Sequence, residues 1–589
     1  MIKSNLRNFL AVVLLTVLFI LTACGGGGSD DEIFSIDDFE QIKTNEDEAI
    51  EGGTITFGLV TDSPFEGTLN YNFYSGNPDV QIINWFDESL LTIDENYNFT
   101  QDGAATFEVN EEEKSITFTI RDNVNWHDGE PVTAEDWVYS YEVIGHPEYD
   151  GVRYGSDFTI IEGMEAYHNG EADSISGIEI HDEKSFTITY DQFTPSLLAS
   201  GIWTYAMPKH LFEEIPVGEM SSSDLVRREP IGMGPFIVES ITPGESVTLV
   251  KNEDYWRGEP NLDGVTVRVI NPNVVVQSIQ NGEVDLVSTF PTDQYPDNKD
   301  LSNVQYLGDV DNAYTYIGFK LGRWEDGEVV VDPEMKMADV NLRRAMWHAV
   351  DNNAIGTRFY NGLRWNATTL IPPSHPDYHD ETIEAPTYDV DKANQILDDA
   401  GYIDVDEDGF REDRDGNELV INFASMSGGD TAEPIAQYYI QSWEAIGLNV
   451  QLLDGRLQEF NTFYDRVEAD DPEIDIYQGA WGVASDVDPT GLYGRNAMFN
   501  YPRYASEEND RLLAEGVSEA AFDQEYRQSV YKEWQELMVE EVPVFPTVYR
   551  AIIIPVNNRI KNYAVDFDES TGIYRYQLAV TQDEAFKAE

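Results

Sequence analysis

Cys24 is the only cysteine in 589 residues. A chain this long with one thiol closes no internal disulfide and builds no two-cysteine metal site. Its stability must come from burial, and 41% hydrophobic residues supply a large core divided over more than one domain. The position of the thiol is equally restrictive. Lys3 and Arg7 precede an apolar run from Phe9 to Leu21, too short for the ~20 residues of a membrane-spanning helix, which reads as a secretory signal. Leu21-Thr22-Ala23-Cys24 then looks like a bacterial lipobox: residues 1–23 are the signal peptide, and Cys24 becomes the N-terminus with a diacylglycerol on its sulfur. After Leu21 no apolar stretch approaches a membrane span. The body is therefore expected at the extracellular face of a cell membrane, held by lipid alone, for which two acyl chains suffice.

Charge excludes a second class of partners. The net charge of −74 arises from 110 acidic against 36 basic residues, and so negative a surface repels nucleic acid and anionic headgroups. The acidic residues spread over the whole chain, as in proteins exposed to high external salt or alkaline medium; the alternative is a surface that steers basic ligands, an effect that strong screening removes.

Residues 24–50, glycine-rich and then acidic, read as a flexible tether. The fold begins near Gly52. "GGTITFGL" alternates as a first strand, and Lys114 to Trp126 alternates likewise. Helical periods appear at Ala134 to Ile144, Val340 to Asn352, Asp391 to Ala400, Glu433 to Ile446 and Gln524 to Glu541. Strands and helices mixed throughout indicate α/β packing in several lobes. Enzyme signatures are missing: there is no H-E-x-x-H, G-x-S-x-G or G-x-x-x-x-G-K-[ST]. His375 and His379 stand four apart, but prolines break the segment and deny them a common helical face.

"FTIRDNVNWHDGEPVTAEDWVYSYEVI", Phe118 to Ile144, resembles the hallmark segment of the extracellular solute-binding proteins of peptide and nickel ABC importers, the oligopeptide-binding protein family. Gly232 to Ile270, "NGEVDL", "VNLRRAMWHAVDNNAI", "ANQILDDAGY" and "YRQSVYKEWQELMVEEVPVFPTVY" follow in the family's order. Within the hallmark, Asp128-Gly129 is a turn dipeptide and Thr133 with Asp136 a capping box, so the motif reads as structural.

The resemblance implies an α/β fold of the type II periplasmic-binding-protein kind, with two main lobes around a hinge and a third inserted in the first. Lobe I would comprise 51–95, 229–315 and 550–589; lobe II, 96–228; lobe III, 316–549. It implies capture of oligopeptides for an ABC permease and its ATPases by a monomer that catalyses nothing. Alternatives are another solute (a dipeptide, a peptide pheromone, a nickel chelate or an oligosaccharide) or, from another class, a surface hydrolase or adhesin. Peptide backbones in such receptors pair with strand edges while side chains enter hydrated pockets. The ligand segments implied are Tyr74, Ser75, Gly76 and Asn77; Tyr316 on a hinge-proximal strand; and Trp481, Gly482, Ser485, Asp486 and Asp488 in "GAWGVASDVDPTGLY". The family's ammonium-binding aspartate would fall at Ser485, which leaves Asp486 as the first candidate anchor and Asp488 as a turn residue.

A separate loop, "DVDEDGFREDRD", matches the D-x-D-x-D-G pattern of calcium loops. Its expected ligands are Asp404, Asp406, Asp408, the Phe410 carbonyl, Glu412 and Asp415. An acidic turn with no ion is the alternative. No cofactor is otherwise required.

Overall fold

A computed structural model describes residues 33–94, 97–199, 201–567 and 571–589; the signal peptide and Cys24 lie outside them. Among the described residues no helix is long and apolar enough to cross a membrane.

Alternation in "TITFGLV" yields the strand Thr54–Val60, which turns Ile55, Phe57 and Leu59 into a core. It pairs in parallel with Gly264–Ile270 and with Leu286–Val287. The hairpin of Phe236–Thr242 and Ser246–Lys251 extends this sheet antiparallel. Helix Asn77–Phe86 buries Ile82, Ile83, Trp85 and Phe86 in the same core, which is that of lobe I. Lobe II is built on an antiparallel sheet in the order Ala105–Asn110, Ser115–Ile120, Ser185–Thr189, Ile178–Ile180. Its Phe118 and Phe186 pack on Trp137 of helix Ala134–Gly145. That helix begins with the expected capping box. Thr133 Oγ1 accepts from Asp136 N at 3.2 Å, and Asp136 Oδ2 accepts from Thr133 N at 2.8 Å.

Lobe III carries a mixed sheet in the order Arg364–Asn366, Val544–Asn557, Val304–Phe319, Ile476–Gly482, Val420–Ala424, Asn449–Leu452. Two of its strands cross into lobe I. Leu307, Ile554 and Val556 belong to the lobe I core, whereas Tyr314, Phe319, Val544 and Tyr549 belong to that of lobe III. Between the two halves the pairing slips at residues 311–313, a bulge that bends and twists the ribbon. A second slip lies between Thr315 and Tyr316, so the expected lobe boundary at 315/316 and 549/550 falls within an irregular stretch of an otherwise paired ribbon.

Two expectations are corrected. Residues 33–50 are part of the body. Phe34 N donates to Asn361 O at 2.9 Å, Lys43 N to Tyr563 O at 2.8 Å and Ile50 N to Val580 O at 2.9 Å. Phe34 packs edge-on against Tyr295 at 5.1 Å. The acidic composition concealed these few apolar anchors. The helix expected over Val340 to Asn352 ends at His348. Asp351 then accepts from Ala354 N and caps a new helix, Asn352–Tyr360, in place of continuing the first.

Candidate functional site

The three lobes enclose a cleft of about 2250 Å³, well above the ~300–1,000 Å³ of a typical small-molecule site. Its mouth is bridged. Gln192 Nε2 donates to Val517 O at 3.1 Å, Phe193 stacks on Phe522 at 5.8 Å, and Asn461 Nδ2 donates to Pro64 O at 3.3 Å. Ser427 also donates to Asp62. These contacts join lobe III to lobes II and I, so the arrangement is closed.

Tyr74, Ser75, Gly76 and Asn77 all line the cleft. Gly76 and Pro78 start the helix without a side-chain cap. The Arg153 guanidinium lies 4.1 Å above the Tyr74 ring and donates to Tyr74 O at 2.7 Å. Trp481 and Gly482 line the opposite wall. Trp481 stacks on Tyr501 at 5.3 Å and meets Phe499 edge-on at 5.5 Å. A Cβ on Gly482 would meet nothing within 4 Å, which leaves that backbone open to a ligand strand.

Tyr316 does not reach the cleft. It is 1% exposed within the lobe III core, and Tyr314 on the same face is buried in that core too, its hydroxyl 2.8 Å from that of Tyr493. Gly479 serves this packing, because a Cβ there would stand 2.9 Å from Tyr316 Cζ. The expected contact is corrected accordingly.

Asp486 is corrected in role as well. Although it borders the cleft, its carboxylate accepts from Arg527 Nη2 at 2.8 and 3.0 Å, and both residues are buried. Arg527 in turn donates to Ser196 Oγ of lobe II at 3.0 Å and to Gly516 O at 3.1 Å. Burial opposes the charge on Arg527, but Asp486 holds its guanidinium above the ordinary value. A carboxylate so engaged is no spare partner for a peptide ammonium. Asp488 is held in its turn, with Oδ1 accepting from Thr490 N at 3.1 Å and from Thr490 Oγ1 at 2.6 Å. Ser485 lines the cleft beside them.

Asp157 of lobe II faces this group. Asp157 keeps an exposed side chain inside the cleft, yet the surrounding lobes, and then the carboxylates of Asp488 and Asp486, push its carboxyl up toward about 7. Asp488 is pushed up to about 6 by burial and by Asp486. Two raised carboxyls brought together from different lobes make a place that takes up either a proton or a cation.

Far from the cleft, Asp404, Asp406, Asp408 and Glu412 bring carboxylate oxygens within 4.8 Å of one another. Positive φ at Glu407 and Gly409 (66° and 101°) folds the loop. Glu412 Oε2 also accepts from Val405 N at 2.7 Å. Asp415 is not in this group; its N–H instead donates to Asp413 Oδ1 at 2.9 Å, so the expected twelfth-position ligand is corrected. The Phe410 N–H donates to Asp408 Oδ1 at 2.8 Å.

Residues 98–502 match the bacterial extracellular solute-binding proteins, family 5 Middle. The chain belongs to this family. It is 29% identical over 582 residues to the oligopeptide-binding protein OppA of Lactococcus lactis subsp. cremoris, covering 95% of this chain and 96% of that protein. The solved lactococcal OppA, complexed with an endogenous peptide in the closed conformation, superposes with a TM-score of 0.86 at 28% identity, over 90% of this chain and all of that one (100%). Bacillus subtilis AppA in complex with a nonapeptide shares the fold, with a TM-score of 0.77 at 21% identity over 90% of this chain and 100% of that one. The architecture is thus the type II periplasmic-binding-protein fold implied by the hallmark segment.

Within that family frame, several cleft residues escaped sequence reasoning. Asp157, Arg153 and Trp203 come from lobe II, and Arg364, Phe499 and Tyr501 from lobe III. None lies in a recognisable motif. Only Phe499 and Tyr501 carried a local signal, as aromatic residues a short way downstream of the "GAWG" strand.

Proposed function

We propose that this chain captures extended oligopeptides in the interlobe cleft and passes them to an ABC permease and its ATPases, itself catalysing nothing. The cleft carries this reading: its volume exceeds a single small solute, its walls offer open backbone at Gly482 and aromatic surface at Trp481 and Tyr501, and the relatives similar along nearly the whole chain are oligopeptide-binding proteins. Purified protein incubated with a mixed peptide library, desalted and analysed by mass spectrometry, should retain intact peptides. Cleaved products would point to a hydrolase, and no retained peptide would sink the reading.

Anchoring belongs to the same proposal. Cys24 carries the lipid, and the protein works as a monomer on the outer face of the membrane. Cys24→Ala should release protein to the medium or stall signal removal, detected by fractionation; undiminished membrane retention would overturn it. The loop at Asp404, Asp406, Asp408 and Glu412 is read as a structural calcium site on the convergence of its four carboxylates. Amine recognition in the cleft, where it occurs, falls to Asp157 with Asp488, because Asp486 is paired.

A further inference from the structure

On the cleft floor two arginines stand side by side. Arg364 and Arg550 are register partners on neighbouring antiparallel strands, so both side chains project to the same face of the sheet. Such partners have Cβ atoms only about 4.5–5.5 Å apart, and like charges placed directly opposite repel. One of the two is neutralised. Arg550 Nε is ion-paired with Asp311 in the hinge bulge. Arg364 has no such partner: it lines the cleft, and among the described residues none accepts from its guanidinium. Its Nε is buried without a hydrogen bond. The guanidinium lies 3.9 Å above the Tyr360 ring, a contact that steadies the charge and fixes its plane but satisfies none of its donors. Asp293 feels the field of Arg364 but makes no ion pair with it.

A second unsatisfied group is nearby. The turn Thr292–Gln294 packs against helix Asn352–Tyr360, which leads into the Arg364 strand. Thr292 lines the same cleft, and its buried hydroxyl has no partner. Among the other guanidiniums of the wall, Arg257 donates to Asp102 O at 2.8 Å and Arg495 to Asp510 at 2.7 Å; Arg153 donates to Tyr74 O at 2.7 Å although its Nε is buried without a hydrogen bond, and Arg575 packs on the Phe567 ring at 4.9 Å, but neither of these two is a register partner of a second arginine as Arg364 is. In a chain with 110 acidic and 36 basic residues, an arginine beside another arginine and without a carboxylate is poorly satisfied by the protein alone. A planar fork with free donors matches a carboxylate in shape and charge.

We propose that Arg364 is a carboxylate subsite of the cleft, which receives the C-terminal carboxylate or an acidic side chain of the bound peptide. The inference rests on the peptide reading above. A peptide retained from the library is synthesised in four forms, with a free or amidated C-terminus and with an internal Glu or Gln. Each form is titrated by calorimetry into the full mature protein and its R364Q and R364K variants. The parent should favour a carboxylate form by about 10- to 100-fold, the scale of a charge-assisted hydrogen-bonded pair. R364Q should abolish that preference, R364K should retain part of it, and the uncharged form should bind all three proteins alike. A preference for the free terminus assigns the subsite to the peptide end, and one for internal Glu assigns it to a side chain. Equal binding of all four forms by the parent overturns the subsite while leaving peptide capture intact, as does a preference that survives R364Q. Should R364Q fail to fold, a preference undiminished in R364K overturns it. A library that yields no retained peptide overturns both the subsite and the function on which it rests.

Discussion

At the scale of single residues, the Asp486–Arg527 pair decides what the cleft does with a peptide terminus. Both charges are buried, and together they occupy the place where a ligand ammonium was expected. Removing one partner of such a pair leaves the other charge uncompensated, which costs about 3–5 kcal/mol. Asp486→Asn should therefore lower stability by about that amount in denaturant unfolding. The ratio of affinities for free-amine and N-acetylated peptides should stay at its parental value. A ratio that collapses in the variant, with stability unchanged, would reinstate Asp486 as the anchor. Aspartate beside tryptophan in a pocket strand was legible in the sequence. That an arginine 41 residues onward on another helix would claim it was not, because pairing depends on which elements meet.

Among the elements, the capping box at Thr133 and the loop after helix Val390–Ala400 were both readable, since each is a local pattern that closes on itself within a few residues. The loop follows its sequence up to Glu412 and departs at Asp415, where a second turn around Asp413 takes over, with Asn417 N donating to Asp413 Oδ1 at 2.8 Å. A site of four carboxylates with Asp406 and Asp408 exposed should bind calcium weakly, in the ~10⁻⁴ to 10⁻³ M range of extracellular modules. Millimolar calcium should raise the melting temperature of the parent and leave that of an Asp406→Ala, Asp408→Ala variant unmoved; equal responses would reject the site. The break at Ala349 to Asp351 is the contrary case. The apolar period runs on, but an aspartate followed by asparagine starts a fresh helix, and a continuous period conceals such a cap.

The whole molecule closes by bringing carboxyls of different lobes together. Asp157 of lobe II rises to about 7 and Asp488 of lobe III to about 6, above the ~3.9 of an ordinary aspartate. Raised carboxyls bind protons more tightly in the folded, closed form than in the unfolded chain, and burial pushes Asp87 of lobe I up to about 8 as well, so that form loses stability as pH rises from about 4 toward about 8. Thermal melts of unliganded parent should thus fall in temperature across pH 5 to 7.5, and Asp157→Asn should flatten the fall. A parental melting temperature that rises over this window would contradict the assignment.

What the sequence determined by itself was whatever is written in contiguous residues: the alternating strands, the capped helices, the acidic loop and the hallmark segment that carries the family. Tertiary structure decided the rest. Tyr316 stands on a strand that borders the cleft, and only the depth of the lobe III core turns it into an interior residue. Asp486 and Arg364 are both charged residues of the cleft border, yet one is paired and the other is not. The acidic segment from Ile33 to Ile50 looked unable to fold, but its few apolar side chains found partners contributed by distant parts of the chain. In each case the outcome depends on neighbours far apart in sequence, whose proximity is set by the packing of whole lobes.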